Sequence, residues 1–504
     1  MATIEIKDLN FAYDGKEPLF EDVNLTIDSH WKLGIISRNG RGKTTLMKLL
    51  LGQEEYNGQI IHQQQFVYFP QTVNDPTKLT YYVLQELSDF EDWQVLRELH
   101  QLGLDDSIFW RPFDTLSGGE QTKILLSLLF LEEGYFPLID EPTNHLDLAA
   151  REQVAGYLKR KKNGFILISH DRQFVDETVD HIISIDKNRL VLYQGNYSTY
   201  DAEKEREDNF EQQQNQKLKG EISRLKKTAK EKAQWSQSRE TDKYGKPNQK
   251  GSGAIGDTGF IGARAARVMK KSKNLERRMD KNIADKEQLL KNIEYIDPLT
   301  LNYQPDYHQR FLTLENVSLN FGAEPLFEAV NVDLLKGQKL AITGENGSGK
   351  SALLKAILGT FTGEINGKIN LTQGIKISYI KQNYEANQGY LKDFAETEGL
   401  DYESFLSNLK KLGMERDVFT QKIETMSMGQ KKKVEVAKSF SQPAALYVWD
   451  EPLNYLDVFN HKQLEELILS VEPTLILVDH DQRFIDEIQV DHQLKLKRVL
   501  KTAK

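Results

Sequence analysis

The chain has 504 residues, room for about three domains at ~150 residues each. Hydrophobic residues make up 39% and charged residues 28%, the balance of folded domains with sizeable cores. No apolar run approaches the ~18 residues of a membrane span, residues 1–7 carry no basic-then-apolar leader, and cysteine is absent. Disulfides, iron–sulfur clusters and thiolate zinc sites are therefore excluded, and a reducing, cytoplasmic location is expected. The net charge of −9 argues against a uniformly basic nucleic-acid binder, but it conceals a contrast. Residues 217–273 hold 16 Lys/Arg against 5 Asp/Glu, a local +11 that leaves −20 for the remainder. Such asymmetry marks a segment that faces a polyanion.

The two ends of the chain repeat one set of residues. Lys43 returns as Lys350 and Gln71 as Gln382, at offsets of 307 and 311. Ser117, Asp140, Glu141 and His170 return as Ser427, Asp450, Glu451 and His480, each 310 residues later. The spacing predicts a first domain over 1–197, an insert over 198–304 and a second domain over 305–504. Each domain opens on an alternating strand pattern (3–9 and 311–317), then a glycine-rich loop and an apolar helix (44–51 and 351–358). Short apolar runs ending in acids follow, at 138–141 and 446–451. Strands alternating with helices predict an α/β core with a parallel sheet in each domain. Pro137, which lacks a ladder donor, is expected at its strand's start or on an unpaired side.

The second glycine-rich loop, Gly344-Glu-Asn-Gly-Ser-Gly-Lys350-Ser351, has P-loop spacing. Its backbone N–H groups and the helix start behind them suit phosphate oxygens. Lys350 is expected on the β and γ phosphates and Ser351 on Mg²⁺. The first loop, Ser37-Arg-Asn-Gly-Arg-Gly-Lys43-Thr44, keeps the lysine and hydroxyl but has Ser37 in place of the first glycine. Asp140 and Asp450 at strand ends suit Mg²⁺, and Glu141 and Glu451 suit activation of a water, as positioning and charge neutralisation in phosphoryl transfer require.

With these motifs, Leu116-Ser-Gly-Gly-Glu-Gln121 resembles the signature of ABC ATPases. Asp140-Glu-Pro-Thr-Asn-His-Leu-Asp147, Gln71 and His170 extend the likeness over both domains. The resemblance implies two ATP molecules, each between the P-loop of one domain and the signature of the other, in a monomer whose two ABC domains pair with each other. It implies ATP contacts from Tyr13, Asn39, Gly40, Gly42, Lys43, Thr44, Thr45, Ser117, Gly118 and Gly119. From the second half it adds Phe321, Asn346, Gly347, Gly349, Lys350, Ser351, Ser427 and Gly429. Thr44, Gln71, Asp140, Ser351, Gln382 and Asp450 are the implied Mg²⁺ set, and Glu141, Glu451, His170 and His480 the catalytic set. Tyr13 and Phe321 would stack on adenine, while Asp147 and Asp457 would sit in loops that cross between the domains. Ser37 and Met428, which replaces a signature glycine, fall in one composite site, so the first site is expected to be the slower. Leu453 and Tyr455, in place of Thr and His, depart from the pattern beside the second.

The insert reads as two charged helices with narrow apolar stripes, Phe210, Leu218, Ile222 and Leu225 on one and Leu275, Met279, Ile283, Leu290 and Ile293 on the other. A Gly-rich turn joins them, with the tip at about 241–262. Trp235, Tyr244, Lys246, Phe260 and Arg264 combine charge for phosphates with rings for bases and are the candidate RNA contacts. Two ABC domains joined by a charged hairpin, with no membrane helix, resemble the ABC-F family. The short interval between Gln71 and Leu116 and the altered second signature resemble its Lsa-like, antibiotic-resistance branch. The resemblance implies an ATPase that binds the bacterial ribosome at the tRNA exit site, with 23S rRNA and P-site tRNA within the linker's reach. It would protect against lincosamides, pleuromutilins and streptogramin A. A general translation factor for stalled ribosomes and the tandem ATPase of a membrane importer are the competing readings.

Overall fold

The computed structural model describes residues 3–498, except 16, 133, 145, 187, 244–276, 278–296, 323–324, 383 and 385. The chain forms two compact units, Met1–Tyr200 with Ile296–Lys504, and Asp201–Tyr295.

Within the first unit each half is built on a mainly parallel sheet. In the first half the strand order is Gln65–Phe69, Tyr135–Asp140, Phe165–Ile168, Lys32–Ile36, His181–Asp186 and Arg189–Gln194, the last antiparallel. The second half repeats it with Ile377–Ile380, Leu446–Asp450, Thr474–Val478, Lys339–Gly344 and His492–Leu496, all parallel. The central strands are continuous apolar runs, and every residue of Phe165–Ile168 and Thr474–Val478 is buried. That is the pattern of a sheet covered on both faces. The alternating segments at the start of each half form antiparallel three-stranded sheets instead, centred on Thr3–Phe11 and Arg310–Asn320. Pro137 pairs with Val67 on one side, while the ladder on the other side begins only at Leu138. Pro137 is thus third in its strand rather than at the start, and it is unpaired on the side of Phe165–Ile168, the other of the two expected placements.

The glycine-rich loops run from Lys32–Ile36 into the helix Lys43–Leu50, and from Lys339–Gly344 into Lys350–Ile357. Gly42 and Gly349 hold φ of 95° and 94° against the rings of Phe20 and Phe327, and a side chain would be strained at either. The halves pack on one another: Val458 belongs to the apolar core of the first half and Phe459 packs against it.

In the second unit the helix Tyr197–Lys243 runs on for about 40 residues, at ~1.5 Å each. Ile222 is buried and Leu218 and Leu225 are half-buried, but Phe210 is 61% exposed. Phe210 lies eight residues before Leu218, about 80° round the helix, so it falls off the expected stripe. The expected second helix lies, apart from Arg277, outside the described residues, as do Tyr244, Lys246, Phe260 and Arg264; Trp235 falls within the first helix.

Candidate functional site

The parallel strands deliver the chemistry at their C-terminal ends. In the first half Thr44 donates to Asp140 Oδ2 at 2.9 Å, and Tyr68 donates to the same oxygen at 3.1 Å. Lys43 turns back on its own loop, donating to the Ser37 carbonyl at 3.0 Å and to Asn39 Oδ1 at 3.2 Å. Glu141 follows the strand with φ at 50°, and Glu451 repeats this at 49°. Non-glycine residues seldom adopt that conformation, and strain of this kind collects at functional positions. His170 Nε2 stands 3.3 Å from Glu141 Oε1. Burial pushes the Glu141 carboxyl up to about 8 despite the nearby Lys43 ammonium, and burial holds His170 neutral.

The second half uses the same elements with different side-chain bonds. Lys350 donates to the Gly344 and Glu345 carbonyls, each at 2.9 Å. Ser351 bonds Asp450, whose carboxyl burial raises to about 6. Glu451 Oε2 accepts from Asn454 at 2.7 Å and from Gln382 at 3.1 Å, while His480 Nε2 lies 3.8 Å from the other oxygen. Burial lowers His480 to about 3. Gln71, the counterpart of Gln382, instead donates to the Leu125 carbonyl at 3.3 Å, so the structure does not bring it onto the acid pair.

Each signature serine caps the helix behind it. Ser117 Oγ accepts from Glu120 N at 3.3 Å, and Glu120 Oε2 accepts back from Ser117 N at 2.7 Å. Ser427 and Gln430 repeat this box, leaving Met428 51% exposed. Across the halves, Asn39 N donates to Asp457 Oδ2 at 2.8 Å and Asn39 Nδ2 to the Tyr455 carbonyl at 3.1 Å. A side chain at Gly429 would meet that same carbonyl at 3.2 Å and Asn39 Nδ2 at 3.8 Å. The first P-loop therefore faces the second signature and the loop that ends at Asp457. Asp147, the counterpart of Asp457, caps its own helix through Ala150 N at 2.9 Å.

Tyr13 bonds Thr45 Oγ1 at 3.2 Å, and Phe321 is 63% exposed against Phe361. Sequence reasoning passed over Tyr68 and Asn454. Tyr68 had a usable signal: it precedes Gln71 by three residues as Tyr379 precedes Gln382.

The arrangement fits a nucleotide with a divalent cation. Glycines in left-handed conformations leave room for phosphates, Lys43 and Lys350 bond to oxygens of their own loops, and Asp450 Oδ1 is buried without a partner among the described residues. No group of three His, Asp or Glu among the described residues could hold a metal by itself. Mg²⁺, which keeps to one or two protein carboxylates plus substrate phosphates, matches such a site.

The ABC transporter family model matches residues 20–144 and 327–454, half of the chain and once in each half. The chain belongs to this family, as a tandem ATPase, and it is 25% identical to ABC transporter F family member 5 of Arabidopsis thaliana, covering 96% of this chain and 74% of that protein. It is 29% identical over 484 residues to the ribosome protection protein VmlR of Bacillus subtilis, covering 95% of this chain and 84% of that protein. It is 27% identical to the ATP-binding protein Uup of Escherichia coli, covering 93% and 76%. The archaeal ribosome recycling factor aABCE1, solved with the stalk protein aP1, superposes with a TM-score of 0.61 at 18% identity, over 98% of this chain and 88% of that one. That likeness shows the tandem fold. Among the described residues, no helix is long and apolar enough to cross a membrane.

Proposed function

We propose that this ATPase acts on the bacterial ribosome and protects it from antibiotics of the peptidyl-transferase centre. ATP with Mg²⁺ closes the two halves, through the residue sets named above for nucleotide, metal and catalysis. The closed form enters the tRNA exit site, and the linker tip around 241–262 reaches 23S rRNA or P-site tRNA and dislodges a lincosamide, pleuromutilin or streptogramin A. Hydrolysis releases the protein. The reading assigns 1–197 and 305–504 to the ATPase domains, 198–304 to the linker, and the protein to the cytoplasm as a monomer.

The observation that carries it is the P-loop of one half meeting the signature of the other, Asn39 against Gly429 and Asp457, in a chain whose two halves are separated by a basic segment. A ribosome protection protein among the full-length relatives supports the drug role. A ligand closes such a pair only by binding the closed state more tightly than the open one. Glu141→Gln/Glu451→Gln should therefore co-sediment with bacterial ribosomes in ATP and not without it, and bound lincosamide or pleuromutilin should leave. Co-sedimentation with the drug retained would favour a general translation factor. No association with ribosomes would end both.

A further inference from the structure

Two of the chain's five tryptophans stand exposed on the helices that precede the first signature, Trp93 at 60% and Trp110 at 64%, beside Tyr82 at 50%. Trp110 and Tyr82 share the Tyr81 ring, and Trp93 is reached through the neighbouring residue Asp92. The Tyr81 ring stacks on Trp110 at 5.9 Å and meets Tyr82 edge-on at 5.7 Å. Tyr81 donates to Asp92, the neighbour of Trp93, at 2.9 Å. The Arg97 guanidinium covers part of the Trp93 ring at 5.4 Å.

The fold does not need these rings. Helices Asp92–Gln101 and Asp106–Trp110 recur 310 residues later as Tyr402–Lys411 and Arg416–Thr420, where Glu403 and Thr420 take the two tryptophan positions. Large exposed aromatics grouped in this way are characteristic of binding surfaces. The surrounding charge selects the partner. Residues 78–114 carry eight Asp/Glu and three Lys/Arg, and with Glu98 set aside, which is buried and paired with Arg97 and Lys161, the net is still −4, a sign that repels a phosphate backbone.

We propose that this face docks a protein segment rich in lysine and arginine. The rings take the apolar stems and the cationic heads, and exposed Asp89 and its neighbours complete the charge match. The surface is built from residues of the first half and stands independently of the ribosome reading. It also reaches an ATP site. Arg111, next to Trp110, donates to Glu120 Oε1 at 3.1 Å, and Glu120 Oε2 holds Ser117. An occupant that shifts Trp110 bears on the signature serine.

The test measures binding of a labelled peptide of lysine, arginine and alanine to the full chain, with oligo-uridine as the second probe. Asp89→Lys/Trp93→Ser alters only exposed side chains and should weaken the peptide about tenfold or more. Trp93→Phe should retain most of the binding, and Tyr390→Ser on the second half should leave it unchanged. Unaltered peptide affinity in Asp89→Lys/Trp93→Ser, or no peptide binding by the unsubstituted chain, overturns the proposal. Loss of oligo-uridine rather than peptide on the same substitutions overturns it in favour of a nucleic-acid surface.

Discussion

Asp457 uses its two carboxylate oxygens on different halves of the molecule: Oδ1 caps its own helix through Asn460 N at 3.0 Å, and Oδ2 accepts from Asn39 N of the first P-loop at 2.8 Å. One side chain thus fixes the start of Val458–Val471 and the position of the loop that faces the second signature.

Removing that carboxylate has two separable effects. Asp457→Ala loses the cap, at a cost of about 1 kcal/mol of stability. It also frees the Asn39 backbone, so ATP at the first site should bind more weakly, while Asp457→Asn, which keeps a capping oxygen, should recover stability more than affinity. Thermal unfolding and nucleotide titration of the two variants separate these effects. Equal ATP affinity in all three proteins would remove Asp457 from the site.

The two glutamates should not contribute equally to turnover. Near neutral pH a carboxyl raised to about 8, as burial raises Glu141, is mostly protonated and a poor proton acceptor. Glu451 is instead oriented by Asn454 and Gln382. Glu451→Gln should lower ATP turnover by about 10²-fold or more, and Glu141→Gln by considerably less. Steady-state hydrolysis by the two single variants decides it, and equal losses would refute the unequal pair.

The same carboxyl predicts a pH dependence of stability. Glu141 keeps its proton in the folded chain up to about pH 8, whereas the unfolded chain releases it near the ordinary glutamate value of 4.5. Between those values the unfolded state binds fewer protons, so this group lowers stability as pH rises. Glu141→Gln removes the titration. Its melting temperature relative to the unsubstituted chain should climb between about pH 5 and pH 8, by a few degrees. A difference that stays flat with pH would show that the group is ionised in the folded state.

Both ATPase halves were legible because their chemistry is local and repeated: Lys43, Asp140 and Glu141 return in order as Lys350, Asp450 and Glu451. The antiparallel sheets on Thr3–Phe11 and Arg310–Asn320 were not, since alternation marks a half-buried strand without naming its partner. The Gln71 and Gln382 side chains look equivalent in sequence, yet they bond to a helix carbonyl and to an acid respectively. That choice is made by packing around each strand end. Contacts between halves were legible only through the ABC resemblance, because residues such as Arg172 and Glu465 carry no motif.

Arg172 and Glu465 give the last prediction. Arg172, 1% exposed and two residues after His170, pairs with Glu465 of the other half and lies 3.9 Å from Asp481, which follows His480. Its counterpart in the repeat is Gln482, which donates to Asp486 within its own helix at 2.8 Å. The ion pair is therefore one-sided, joining the two histidine loops from one direction only. A buried pair contributes little net stability, but breaking it strands a charge. Arg172→Met should cost about 3–5 kcal/mol, and Arg172→Met/Glu465→Leu should recover a large part of that loss. Chemical denaturation of the two single variants and the double variant completes the cycle. Additive losses would mean that the two side chains act independently, and the halves would then be held by the Asn39–Asp457 contact and the apolar packing of Val458 and Phe459.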